Sequence, residues 1–181
     1  MVDLSKSKTA WPIKVKLKRG LWSFVIQPLV RWLPKSCSPI RIWALRLMGA
    51  SIGERCLILP GVKVLMPWNL KLAHCVAIGE RVNIYNFAQV TIDRMTVVSQ
   101  YCFLCTGSHD YSRGDMPLIY DPITIGSECW VAAGVFLAPG IQIPNGAVIG
   151  AMSVVSKELS SEWAVYAGNP CSFIKNRVMA D

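Results

Sequence analysis

One of only two histidines in the 181-residue chain, His109, stands in the stretch "CTGSHDYSRGDMPLIYDP" (residues 105–122), flanked by Ser108, Asp110 and Tyr111. An imidazole has an unperturbed pKa of about 6.5, which suits it to take a proton from a weak nucleophile such as an alcohol at neutral pH. On position alone, His109 is either such a base or a loop residue with local hydrogen bonds. The other histidine, His74, lies in "LAHCVAIG" and reads as a solvated turn residue. Seven scattered cysteines are an odd number and read as reduced core thiols rather than a disulfide framework. Cys102 and Cys105 form a CxxC, but a structural zinc site needs a second ligand pair and none is suitably spaced. No metal is expected.

The elements that must position His109 show themselves as a repeat. Ile125, Val131, Leu137, Ile143, Ile149 and Val155 are aliphatic at every sixth position, and each is followed by a small or turn-forming residue. Two places before each runs a second, mostly apolar series: Ile123, Cys129, Val135, Ile141, Ala147 and Ser153. Helices repeat at about 3.6 residues and plain strands at 2, so a strict six calls for a short strand plus a turn wound around one axis. Upstream the phase continues through Ile52, Ile58 and Val64, then Leu72, Ile78 and Ile84, then Ile92, Val98 and Leu104, with a two-residue slip between groups. Three strands per coil make this an all-β solenoid of about five coils. Between Leu104 and Ile125 the interval is far longer than six, so the segment 105–122 is extruded from the wall.

Charge divides the chain differently. Residues 1–55 hold eleven Lys/Arg against Asp3 and Glu54, leaving +9, while the remainder is nearly balanced. Five of seven tryptophans fall between residues 11 and 68, and "RGLWSFVIQPLVRWLPKSCSPIRIWALRLMG" reads as two short amphipathic helices broken near Pro34 and Pro39. Such an arm either caps the open end of the solenoid or lies in the interface of an anionic membrane. Its sequence matches no groove-reading motif, so nucleic acid is not an expected partner. The expected organisation is a helical arm or cap over 1–50, a solenoid over 51–160 and a tail over 161–181. No apolar run approaches the roughly 18 residues of a membrane span, and the N-terminus lacks a signal-peptide pattern. The expected location is the cytoplasm, with peripheral contact at the inner face of the membrane if the arm binds lipid.

The segments "RLMGASIGERCLILPGVKVLMPWNLKL", "VSQYCFLCTGSHDY", "CWVAAGVFLAPG" and "YAGNPCSFIKNR" resemble the hexapeptide-repeat acyltransferases, in particular their colanic-acid and exopolysaccharide branch near the maltose and nodulation-factor O-acetyltransferases. The resemblance covers about residues 40–177, and the opening "DLS" also fits. It implies a left-handed β-helix, a homotrimer with sites between subunits, acetyl-CoA as co-substrate, and a hydroxyl of a sugar or lipid-linked glycan as acceptor. It makes His109 the general base. Asn86 matches an asparagine that would orient the hydroxyl or the developing oxyanion, unless it merely caps a coil corner. Asp110, Tyr111 and Tyr85 become candidates for holding the sugar. Ala133, Gly134 and Ala151 match small residues along the pantetheine path, with Ser156 and Lys157 further on. Lys175 and Arg177, after "GNP", match a basic tail that meets the nucleotide phosphates, or are ordinary solvated charge. Asp93 stands where the branch has glycine and is set aside.

Two other classes compete. A γ-type carbonic anhydrase shares the fold but needs three histidines on zinc, more than this chain has. A non-catalytic scaffold subunit would need neither the GSHDY loop nor the basic tail. An amino-sugar acceptor or a longer acyl donor would keep the same residues.

Overall fold

The computed structural model describes residues 11–179; the DLS tripeptide, Lys6 and Lys8 of the basic arm lie outside them. The hexad builds what its period demands. Each coil contributes one short strand to each of three parallel sheets. On the first face Ile52, Leu72, Ile92, Ile125 and Ile143 stack in register. On the second, Ile58, Ile78, Val98, Val131 and Ile149 do so. On the third, Val64, Ile84, Leu104, Leu137 and Val155 do so. All fifteen point inward and none exceeds 8% exposure. The second apolar series, from Ile123 to Ser153, is buried beside them and fills the corners of the prism.

The expected five coils are present, and one further rung carries the solenoid towards about six turns. Ala164–Gly168 pairs in parallel with the second face and buries Tyr166 on top of Ile149. This rung escaped the six-residue pattern because eleven residues, not six, separate it from Val155, and its inward residue is aromatic. The segment from 161 is therefore solenoid before it is tail. Cys171–Asn176 then turns back antiparallel along Ala164–Gly168, through a cis Asn169–Pro170 peptide.

Two of the three corners are made alike. Arg55, Cys75, Met95, Glu128, Gly146 and Trp163 occupy the left-handed backbone region between the first and second faces. Gly61, Arg81, Tyr101, Gly134 and Met152 do the same between the second and third. The corner between the third face and the next coil's first face lacks this uniform turn. It holds the 3-10 turn Pro67–Asn69, the irregular segment 86–89 and the extruded segment 105–122. Both slips and the extrusion therefore lie in one column.

An open solenoid exposes unpaired backbone groups at its first coil, a template for unwanted strand addition. The N-terminal helices α1 (Ile13–Leu21), α2 (Gln27–Arg31) and α3 (Ser38–Leu47) close it. A π turn, Trp22–Ile26, joins α1 to α2. Trp22 is buried and its Nε1 donates to the Val64 carbonyl at 2.7 Å, while Gln27 Oε1 accepts from Val64 N at 2.8 Å. Ser38 Oγ accepts from Ile58 N, Arg41 Nε donates to the Ile58 carbonyl, and Arg46 donates to the Ile52 carbonyl. Side chains thus supply the strand partner that a seventh coil would have given. The chain breaks between helices near Pro34 as expected. Pro39 instead lies in the first turn of α3, where its missing N–H costs nothing.

Leu104 is fully buried in the middle of its column. Leu104→Ala should destabilise the protein by about 2–5 kcal/mol, read as a lower urea midpoint at unchanged slope. A loss below about 0.5 kcal/mol would mean the column does not carry the core.

Candidate active site

At the irregular corner the chain leaves the wall as a two-stranded antiparallel hairpin, Gly107–His109 against Leu118–Tyr120. Its root is sewn down by Thr106, which is fully buried. Thr106 N donates to the Tyr85 carbonyl at 3.0 Å, and Thr106 Oγ1 accepts from Ala88 N at 3.0 Å. One coil below, Asn86 Oδ1 accepts from Met66 N at 3.0 Å, and its Nδ2 donates to the carbonyls of Met66 and Asn69 at 2.8 and 3.0 Å. Asn69 Nδ2 in turn donates to the Phe87 carbonyl at 2.8 Å. Asn69, Asn86 and Thr106 form a vertical suture that replaces the missing regular turns. Asn86 is 0% exposed and both ends of its amide are engaged inside the chain, the arrangement of a corner cap.

His109 is exposed at the end of the hairpin's first strand. Its Nδ1 lies 2.7 Å from the Met116 carbonyl oxygen. A carbonyl only accepts, so Nδ1 carries the hydrogen and the neutral ring presents Nε2 as a bare lone pair. The backbone thereby sets the tautomer a base requires. Asp110 does not share this task. Its carboxylate accepts from Ser112 N and Oγ at 3.0 and 2.6 Å, bonds that hold its carboxyl below the usual range and close the hairpin turn. Tyr111 stands 89% exposed at the tip. Tyr85 packs edge-on against Phe87, with ring centroids 4.8 Å apart.

The remaining predicted residues lie elsewhere. Ala133, Gly134 and Ala151 share the corner between the second and third faces, where Met152 N donates to the Ala133 carbonyl. Gly134 has φ +69 and Met152 overlies its Cα, so no side chain fits there. Ser156 and Lys157 are exposed just past Val154–Val155. Lys175 is exposed on the returning strand. Arg177 sits at the corner between the first and second faces, its Nη1 donating to the carbonyls of Glu128 and Gly146 at 2.7 and 2.8 Å. Its guanidinium also covers the Trp163 ring at 5.4 Å. One chain therefore distributes the candidates over three edges of a prism, with His109, Ser156 and Lys157 at one, Ala133, Gly134 and Ala151 at another and Arg177 at the third.

Of the set-aside residues, His74 is an exposed turn residue whose Nδ1 accepts from Glu54 N at 3.3 Å, and Asp93 Oδ1 caps its own turn. All seven cysteines are free, and burial pushes the Cys102 thiol up to about 11. Among the described residues no group of three or more His, Cys, Asp or Glu converges as metal ligands would.

Sequence reasoning missed what lies beside His109. A cleft of about 960 Å³ opens between the hairpin, the third face and α1, with His109 and Leu118 in its wall. Trp11 lies there within 5.9 Å of Phe87 and 6.1 Å of Tyr120, centroid to centroid. No periodicity predicts this contact, since it joins residues more than seventy positions apart.

No family model matches the sequence. The chain is 41% identical over 162 residues to a protein of Escherichia coli (strain K12) named colanic acid biosynthesis acetyltransferase WcaF, covering 90% of this chain and 88% of that one. Its fold superposes on a maltose O-acetyltransferase from Clostridium difficile 630 with TM-score 0.84, 23% identity and 99% coverage of both chains. A hexapeptide-repeat acetyltransferase from Vibrio cholerae, crystallised with acetyl-CoA, superposes with TM-score 0.84 at 18% identity, over 94% of this chain and 93% of that one. The solenoid is thus the left-handed β-helix of the hexapeptide-repeat acetyltransferases, and this chain belongs to that family, alongside the colanic acid biosynthesis acetyltransferase WcaF. It is an acetyltransferase.

A Cβ on Gly107 would stand 2.8 Å from the Phe87 ring. Gly107→Ala should push the hairpin off the wall and lower turnover roughly 10²-fold, as an ångström-scale misplacement does. Adding Phe87→Ala should recover part of that loss. An undiminished rate in the single variant would show that the hairpin's seating does not matter.

Proposed function

We propose that this protein moves the acetyl group of acetyl-CoA to a hydroxyl of a sugar or lipid-linked glycan intermediate of exopolysaccharide biosynthesis, with His109 as general base. The observation that carries the reading is the bond from His109 Nδ1 to the Met116 carbonyl, which leaves Nε2 as a proton acceptor in the wall of a cleft. There Nε2 takes the acceptor's hydroxyl proton as its oxygen attacks, and returns it to the departing sulfur. Acetyl-CoA supplies a carbonyl already activated as a thioester. Asn86 is a positioning residue: it fixes the corner on which Thr106 and the hairpin rest. Asp110 holds the hairpin turn, while Tyr111 and Tyr85 are sugar-facing candidates at its tip and root.

The donor side draws on Ala133, Gly134 and Ala151, small residues that would let pantetheine come close to the backbone once Met152 swings aside, then on Ser156 and Lys157. Lys175, exposed on the returning strand, is the candidate for the nucleotide phosphates, and Arg177 has donors left beyond the two carbonyls it already binds. Because Ala133, Gly134, Ala151 and Arg177 lie on different edges from His109, a complete site needs the edge of a second copy. A homotrimer with a site in each groove meets that need, and the scaffold alternative leaves the His109 geometry without use. Among the described residues no helix is long and apolar enough to cross a membrane. The outward face of α1 and the π turn, with Leu17, Leu21 and Val25 exposed among lysines, suits peripheral contact at the inner face of an anionic membrane. The protein is then a cytoplasmic enzyme working beside that membrane.

His109→Ala should lower turnover roughly 10²- to 10⁴-fold with circular dichroism and particle mass unchanged; full activity would remove His109 from the mechanism. Light scattering should give three copies per particle, and a monomer with full activity would overturn the shared site. Leu17→Glu/Leu21→Glu should lose flotation with anionic liposomes while the parent floats. Equal recovery of the two would sink the membrane contact.

A further inference from the structure

The cleft beside His109 has an electrostatic character that a neutral sugar does not call for. Lys16 and Arg19, three residues apart on α1 and hence on one face of the helix, line one side. Arg31 and Lys63 line another. Among the described residues no Asp or Glu lines the cleft, and none of these four cations forms an ion pair with a described carboxylate. Segment 11–53 contains no acidic residue.

The crowding is costly as it stands. Arg31 donates through Nε to the Gly61 carbonyl at 2.8 Å and lies over Trp32 at 4.8 Å, and Arg81 covers the same ring at 5.8 Å. Burial and repulsion from Arg81 pull the Arg31 guanidinium below its usual value. A bound anion would relieve that repulsion, and an arginine fork matches phosphate oxygens in geometry as well as charge. Four aromatic side chains, Trp11, Phe24, Trp32 and Phe87, also line the wall. At about 960 Å³ the cleft is near the top of the roughly 300–1,000 Å³ range of small-molecule sites. It has room for a phosphorylated group as well as the sugar to be acetylated.

We infer that the acceptor is a diphosphate-bearing sugar, whose phosphates sit among Lys16, Arg19, Arg31 and Lys63 while the sugar hydroxyl reaches His109 Nε2. The inference rests on the acetyl-transfer reading only for the sugar's orientation; the anion site stands on the cleft itself. The diphosphate could come from a nucleotide sugar or from a lipid carrier.

The test is titration calorimetry on the full chain saturated with CoA, so that the donor's own phosphates are already housed. The probes are inorganic pyrophosphate, UDP-glucose, farnesyl-diphosphate-linked glucose in detergent, and free glucose. The diphosphate probes should bind, and Arg19→Gln/Lys63→Gln should weaken them at least tenfold without altering the response to free glucose. In the parent protein, raising salt from about 0.05 to 0.5 M should weaken pyrophosphate severalfold by screening, a readout that needs no variant to fold. Tighter binding of the lipid probe or of the nucleotide probe identifies the source, and either supports the site. No pyrophosphate binding to the CoA-saturated protein, or equal binding by the parent and the double variant, would overturn it. Intact pyrophosphate binding in a protein that acetylates no sugar hydroxyl would instead defeat the sugar O-acetyl-transfer reading and leave only the anion site standing.

Discussion

Everything in this molecule depends on the in-register stacking of one aliphatic side chain per strand. Ile52, Leu72, Ile92, Ile125 and Ile143 can form a column only if each coil returns to the same place, and likewise on the other two faces. A strand slipped by one residue would turn its aliphatic side chain out to water and a polar one into the core. The register is therefore tightly held where the hexad is unbroken. Irregularity is confined to places where the column can resume afterwards. That happens at one corner, and the hairpin leaves the wall there.

The same requirement explains both ends of the solenoid. A stack of parallel strands must stop, and its last backbone groups need partners. At the start, Trp22, Gln27, Ser38, Arg41 and Arg46 act as hydrogen-bonding substitutes for an absent coil. At the finish, Tyr166 closes the core and the antiparallel return of Cys171–Asn176 covers the edge. The tryptophan-rich arm is thus a cap by construction, and its outward apolar side chains are a surplus beyond that task. Capping side chains and three of the four cleft-lining cations come from the same N-terminal helical arm, so the closed end of the solenoid is also one wall of the cleft beside His109.

The suture of Asn69, Asn86 and Thr106 shows how a rigid wall carries a precise loop. Buried side-chain hydrogen bonds replace the left-handed turns that the other two corners use, and each links one coil to the next. Gly107 then lets the hairpin lie against Phe87 without an intervening side chain. His109 is held by backbone at Nδ1, so its orientation depends on the hairpin's seating rather than on a neighbouring carboxylate. Asp110, next to it in sequence, faces the turn instead.

The hexad, the extruded segment and the presence of His109 within it were legible in the sequence because they are local: a period, a break in it, and a residue inside the break. The first fifteen rungs followed from position alone. The sixteenth did not, since Tyr166 arrives out of phase and only pairing to Ile149 reveals it. Asn86 was visible as an asparagine at a corner, yet its burial and its partners at Met66 and Asn69 lie about twenty residues away and belong to stacking. The cleft is the clearest case. Lys16, Arg19 and Arg31 read along the chain as part of a diffuse positive charge, and the helices must fold over the first coils to bring them beside Lys63 and His109. Sequence determined the wall and the place where His109 leaves it, because covalent spacing dictates both. Tertiary structure decided which cations and aromatics surround that histidine, because those neighbours come from segments whose separation along the chain carries no record of their distance in space.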